Sequence, residues 1–449
     1  MKRIKKAMAL ALTILMLTLG ACSNSTQPTN PSPTNAASAV NPRSTAGIPS
    51  EPTEIRFMHI HGGAGGELVN TFCEEFTELS GGKYKIKPLY VEGSYEGVIE
   101  RLLMLSLNDD FPEISQAGHQ YAYFMAENMP IIPLQEFIDK EGYNVSDLFP
   151  KMLDLGRDPS GRIVGLPFAV STPVLFYNKD MFEANGIKEA PRTFDELRET
   201  AKRLTKDGNY GIYINYEITG NWEIQCLIEN YGEQMLSANR KSVGFNNAGL
   251  KTFELINNLV NVDQSMPITD SSESATQAQE LFKAGRIGMY ISTIASLRGF
   301  QRDAQFTVAT ALHPSVDGKP HGAPAGGNSV YILTNDPQKQ EGAWEFIKYI
   351  NAPEQSNRVA QVFGYMVTSQ SALTTPALMG DYLIENPAAK VTYDQVNFMT
   401  PWCNFPGNAG TKYVKITQDN FNAMIHKEKN PTQAFNDTVS QLNELIAHN

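Results

Sequence analysis

Beyond its first twenty-two residues the chain is poor in the residue types that most often announce a chemistry. Only Cys73, Cys226 and Cys403 follow Cys22. Three thiols cannot all pair, and none stands in a metal-type spacing, so buried free thiols are expected rather than a disulfide framework or a zinc knuckle. No later stretch approaches eighteen uninterrupted apolar residues, which excludes an ordinary membrane-spanning helix from the body. Basic residues are outnumbered, 37 Lys and Arg against 48 Asp and Glu, for a formal charge of −11. Nucleic acid or an anionic lipid surface is a poor partner for that balance. A nucleophile elbow, a histidine-glutamate zinc helix and a kinase-type set are all missing. The adjacent acids Glu74-Glu75 and Asp109-Asp110 diverge on a helix or turn and read as solvated faces rather than a catalytic dyad. No enzyme, no resident cofactor and no metal is expected on these grounds.

Two weaker signals point the same way. His59 and His61 alternate, which places both imidazoles on one side of an extended segment. His119 is the one plausible third ligand and no spacing links it, so packing or hydrogen bonding at the edge of a site is expected instead. The cluster Gly62–Gly66 fits neither G-x-G-x-x-G nor a Walker A pattern and reads as a flexible turn between strand and helix.

The N-terminus is better marked. Lys2, Arg3, Lys5 and Lys6 precede an apolar run from Ala7 to Leu19 and then Gly20-Ala21-Cys22, the layout of a secretory signal peptide over residues 1–21. Leu19-Gly20-Ala21-Cys22 resembles the lipobox of bacterial lipoproteins, which implies cleavage before Cys22 and a lipid on its sulfur. Loss of the four leader cations takes the charge from −11 to −15. Residues 22–52 hold no aromatic side chain and are dominated by Ser, Thr, Asn, Pro and Ala, so they read as a disordered tether with a reach of roughly 30 Å.

From about Thr53 the pattern turns to alternating strands and helices. Glu54–Ile60 reads as a strand, and Leu68, Val69, Phe72, Phe76 and Leu79 stripe a helix. Tyr84–Val91 is the next strand; Val98, Leu102 and Leu105 mark a second helix, and Phe111–Ser115 a third strand. Val174–Tyr177, Gly211–Ile214, Ile287–Ile291 and Ser329–Leu333 read as further strands. Thr193–Glu196 reads as a capping box, with later helices around Leu281 and over Ala343–Ile350. This is α/β layering in two units. Eighteen Tyr and three Trp, with many amides and hydroxyls, form an inventory suited to neutral polar ligands, because aromatic faces cover sugar C–H surfaces while polar groups meet the hydroxyls.

The segment Leu166-Pro167-Phe168-Ala169-Val170-Ser171-Thr172-Pro173-Val174-Leu175-Phe176-Tyr177-Asn178-Lys179-Asp180 resembles the hallmark of extracellular solute-binding proteins of ABC sugar importers, the maltose-binding-protein-like family 1. Ala190–Leu197, Gly326-Gly327, Ala343–Ile347 and Phe363–Thr368 are similar to further elements of that family, in order along the chain. Gly93–Glu96, Ser171–Val174, Ala295–Leu297 and Gly364-Tyr365 look nearest to its glycerol-3-phosphate-binding members. The resemblance implies a two-lobed, type II periplasmic-binding-protein fold hinged by three crossovers near Ala169–Ser171, Ala325–Gly327 and Gly364–Met366. One lobe would comprise 54–168 and 328–363, the other 172–325 and 366–449. The ligand contacts it implies are Tyr95, Ser171, Thr293, Gly327 and Tyr365, with Trp222 as the stacking aromatic. His119 stands where the family has an acidic contact, and the arginine expected near Val414 is missing, with Lys412 and Lys415 only nearby. Lysine does not reproduce the bidentate fork by which arginine reads phosphate. The implied role is therefore capture of a mono- or oligosaccharide for an ABC permease by a monomer tethered to the outer face of the cell membrane. Glycerol-3-phosphate or a glycerophosphodiester is the alternative ligand, and a secreted carbohydrate-active enzyme the alternative class.

Overall fold

The computed structural model describes residues 51–218, 221–268, 274–406 and 410–448. The signal peptide, Cys22 and nearly all of the tether lie outside them. No helix among the described residues is long and apolar enough to cross a membrane.

The described strands are β1 (Thr53–His59), β2 (Tyr84–Tyr90), β3 (Ile114–Gly118), β4 (Leu166–Ser171), β5 (Pro173–Asn178), β6 (Tyr210–Ile214), β7 (Ile287–Thr293), β8 (Val308–Ala311), β9 (Ala323–Pro324), β10 (Gly326–Ile332) and β11 (Met399–Thr400). One sheet runs in the order β2-β1-β3-β10-β4 and another in the order β6-β7-β5-β8, with β9 and β11 forming a short ribbon. In the first sheet β1 pairs in parallel with β2 and β3, while β10 is antiparallel to β3 and β4. In the second, β6 and β7 are parallel, and β5 is antiparallel to β7 and β8. Each parallel pair needs a helical crossover, and the crossovers supply the apolar stripes that cover the sheets. The helix Gly63–Leu79 buries Leu68, Val69, Phe72, Cys73 and Phe76 against the first sheet. Phe194–Leu204, opened by the Thr193–Glu196 capping box, buries Phe194, Leu197, Ala201 and Leu204 against the second. Each sheet thus has its own core, one around Phe57, Phe346 and Trp344 and one around Phe176, Tyr290 and Phe282.

Two of the passages between the lobes are locally very short. Thr172 alone separates β4 from β5, and Ala325 alone separates β9 from β10. A third passage follows the helix Pro353–Phe363, where the Met366 amide donates to the Val170 carbonyl at 2.8 Å. Ser171 pairs with Gly326 and Val170 with Gly327, so the three passages lie side by side. Gly327 has φ +108°, and a Cβ there would lie 1.9 Å from the Ala169 carbonyl oxygen, so this position admits glycine alone. The architecture is the two-lobed fold with three crossovers.

Two local expectations are corrected. Gly63–Gly66 are not a turn; they open the helix Gly63–Leu79. They are small because Cβ atoms on Gly65 and Gly66 would meet Phe363 and the His61 carbonyl at 2.8 Å. The third strand is Ile114–Gly118 rather than Phe111–Ser115. The preceding residues serve instead as acceptors for Arg56, whose backbone amide donates to Glu113 at 2.7 Å and whose guanidinium reaches the Phe111 carbonyl.

Candidate functional site

A cavity of about 480 Å³ opens where the two lobes face one another. From the first lobe it takes His119, Tyr123 and the loop carrying Arg157 and Asp158; from the second it takes Gln225, Glu229, Arg240 and Trp402. Ligand cavities of small-molecule binders are typically about 300–1,000 Å³ with a few converging polar groups.

The first-lobe wall is built at the carboxyl end of β3, where a strand of the parallel set ends and the following residues face the crevice. His119 begins the turn that ends β3 and is buried, with Nδ1 3.4 Å from Ser329 Oγ. Its Nε2 meets no partner among the described residues. Burial drives its pKa down to about 3, so the ring is neutral at ordinary pH. His59 is likewise buried with both ring nitrogens unpartnered, and burial lowers it to about 4. His61 stacks on Phe363 with ring centroids 4.3 Å apart and is lowered to about 3, first by burial and then by His59.

The second-lobe wall comes from the helix Trp222–Asn230, whose residues 222, 225 and 229 fall on one face. Glu229 is buried; its Oε1 accepts from Gln225 Nε2 at 2.9 Å and its Oε2 from Thr400 Oγ1 at 2.7 Å. Burial nevertheless pushes its pKa up to about 7. Gln225 Nε2 also donates to the Pro401 carbonyl at 2.9 Å, and Gln225 Oε1 accepts from the Cys403 amide at 2.8 Å, which fixes the segment that presents Trp402. Arg240 reaches across the cleft, its guanidinium 4.8 Å from the centroid of the Tyr123 ring, while it also donates to the Asn404 carbonyl. Arg157 is held by Asp154 at 2.9 Å and by the Gly161 carbonyl at 2.7 Å. The cavity therefore offers cations, a carboxyl raised by burial and flat aromatic faces together.

Of the site residues expected from sequence, only His119 lines this cavity. The other six stand at or beside the crossovers. Asn328 Nδ2 donates to Tyr95 Oη at 3.1 Å, and Tyr95 and Tyr365 are hydrogen-bonded to each other. Trp222 Nε1 donates to the Pro324 carbonyl at 2.9 Å, and its ring centroid lies 6.2 Å from that of Trp402. A Cβ on Gly326 would lie 2.8 Å from Ser171 Oγ and 3.1 Å from the Trp222 ring, so these two side chains flank the same crossover. Thr293 ends β7 opposite Pro173 and caps the following turn through the Ala295 amide. Lys412 is exposed, and Lys415 is exposed and paired with Asp419 at 2.8 Å, so neither substitutes for an arginine; Arg157 and Arg240 are the cavity's cations. Sequence reasoning missed Gln225, Glu229, Arg157, Arg240 and Trp402, although the spacing of Gln225 and Glu229 from Trp222 on one helix could have revealed the first two.

Residues 71–389 match the family model for bacterial extracellular solute-binding proteins. The chain belongs to that family. Among relatives of this solute-binding protein, the sn-glycerol-3-phosphate-binding periplasmic protein of Brucella abortus is 25% identical over 423 residues, spanning 88% of this chain and 93% of the relative. The structure of UgpB from Mycobacterium tuberculosis in complex with glycerophosphocholine superposes with a TM-score of 0.77 at 19% identity, covering 89% of this chain and 99% of the other. The cyclic alpha-maltosyl-1,6-maltose binding protein of Arthrobacter globiformis gives 0.73 at 16% identity, covering 89% and 100%. These two likenesses establish the shared fold.

Proposed function

We propose that this solute-binding protein captures a carbohydrate, a mono- or oligosaccharide, between lobes made of residues 54–168 with 328–363 and 172–325 with 366–449, and delivers it without chemical change to an ABC permease. The observation that carries the reading is the 480 Å³ cavity walled by both lobes of a fold with three crossovers, so that filling the cavity biases closure. Trp402 and Tyr123 offer ring faces, and Gln225, Glu229 and His119 Nε2 offer hydroxyl partners. Tyr95, Ser171, Trp222, Thr293, Gly327 and Tyr365 would complete the site from the hinge side. In the same proposal Cys22 carries the lipid, residues 23–52 serve as the leash, and the protein works as a monomer on the outer face of the membrane.

Arg157 and Arg240 favour a second reading, a glycerophosphodiester or glycerol-3-phosphate, whose phosphate would draw on guanidinium hydrogens not already engaged. Thermal unfolding of the full chain with maltotriose, glycerol-3-phosphate and glycerophosphocholine tests both readings. A ligand at a hundred times its dissociation constant adds about 2.7 kcal/mol, a rise of several degrees. Stabilisation by maltotriose alone supports the first reading, and stabilisation by the phosphates that Arg240→Ala abolishes supports the second. Cleavage of any of these compounds would overturn both.

A further inference from the structure

A different face of the same helix carries a cluster that ligand capture does not use. Glu223 and Cys226 lie one turn apart on Trp222–Asn230 and are fully buried, and His313, after β8, packs against them. One ligand atom from each of the three lies within 4.8 Å of the other two. His313 Nδ1 is 2.7 Å from the Pro314 carbonyl, which can only accept, so Nδ1 carries a proton and Nε2, 2.8 Å from Glu223 Oε1, is the nitrogen left to face an ion. Glu223 Oε2 is buried and has no hydrogen-bond partner. Asn230 Nδ2 lies 3.4 Å from Cys226 Sγ, where it can donate to sulfur.

We infer that Glu223, Cys226 and His313 form a buried site for a single zinc-class divalent cation, inside the second lobe and separate from the ligand cavity. Thiolate, imidazole and carboxylate are the donor types a borderline-soft, tetrahedral cation takes. The Pro314 carbonyl plays the outer partner that fixes the tautomer of a metal-bound imidazole. Charge also closes: one dication, one thiolate and one carboxylate sum to zero, which suits a dry interior. In the ion's absence burial raises the pKa of both Glu223 and Cys226, so loading displaces protons that the site otherwise keeps. The ion would tie the helix that presents Gln225 and Glu229 to the β8–β9 connection, bracing one wall of the cleft. Spacing along the chain gave no hint of it, because His313 arrives from a distant loop.

Because the site is closed, loading must accompany folding. The full chain is refolded with Co²⁺ as a spectroscopic substitute for Zn²⁺, then washed with chelator and assayed for metal content and absorption. The expected result is stoichiometric retained cobalt with a sulfur-to-cobalt charge-transfer band, both lost in Cys226→Ser and preserved in Cys73→Ser and Cys403→Ser. His313→Gln, checked for folding by circular dichroism, is expected to lower retention by at least about tenfold, as loss of a ligand does. Substoichiometric metal in the native chain, or a band that persists in Cys226→Ser, overturns the assignment. These readouts are independent of whether any solute binds.

Discussion

The two walls of the cleft each bury a titratable group, and burial pushes His119 on one and Glu229 on the other toward the neutral form from opposite directions. The first-lobe wall holds His119, lowered by burial to about 3, and His59, at the end of β1 outside the cavity lining, is lowered to about 4. The second-lobe wall holds Glu229, raised by burial to about 7. A lowered imidazole leaves the unfolded chain with more bound protons below pH about 6.5, so stability is lost as pH falls through that value. A raised carboxyl does the reverse: its contribution is complete below the unfolded value of about 4.5 and is lost as pH rises through about 7. Acid therefore weakens one wall and strengthens the other. Desolvation is one physical cause, and the sign of its consequence depends only on which protonation state carries charge.

The bluntest way to break this comparison is to disturb the crossovers that hold both walls in register. Gly327→Ala introduces a Cβ 1.9 Å from the Ala169 carbonyl oxygen at φ +108° and is expected to cost about 3–5 kcal/mol in urea unfolding. Glu229→Gln isolates the histidine side. Between pH 7 and pH 5, His59, His61 and His119 each cost about 2 kcal/mol and Glu229 returns about 2, so the native chain loses about 4 and this variant about 6. His59→Phe, which keeps a ring against Phe57 and Tyr90, should remove about 2 kcal/mol of the native chain's acid loss, leaving about 2. Equal pH slopes in all three proteins would show that the walls do not differ. Smallest is Arg240→Ala, which deletes the contact with Tyr123 across the cleft; a loss of about 0.5–2 kcal/mol should shift the unliganded chain toward the open form, read as a larger radius of gyration.

Much of the scaffold was legible because local rules and global fold agree along it. The strands at Glu54, Tyr84 and Ile287 and the Thr193 capping box needed only periodicity and a cap. Gly63–Gly66 deceived because glycine is also what a helix uses where Phe363 and the His61 carbonyl approach too closely for a side chain. The crossovers were legible through resemblance, since Ser171, Gly327 and Tyr365 sit in contiguous motifs. The cavity's second wall was not. Arg240 and Trp402 come from loops far apart in sequence that acquire meaning only when the lobes face each other, and nothing local in either loop encodes that encounter.

Thr172 is the sole residue between a strand of one sheet and a strand of the other, and Ala325 the sole residue between β10 and the short β9–β11 ribbon. A link as short as Thr172 transmits rotation and leaves little room for sliding, because translation of one sheet against the other would have to stretch it. The relative motion of the lobes is thereby reduced to little more than one angular coordinate. A permease meeting this protein need measure only that angle to know whether the cleft is occupied.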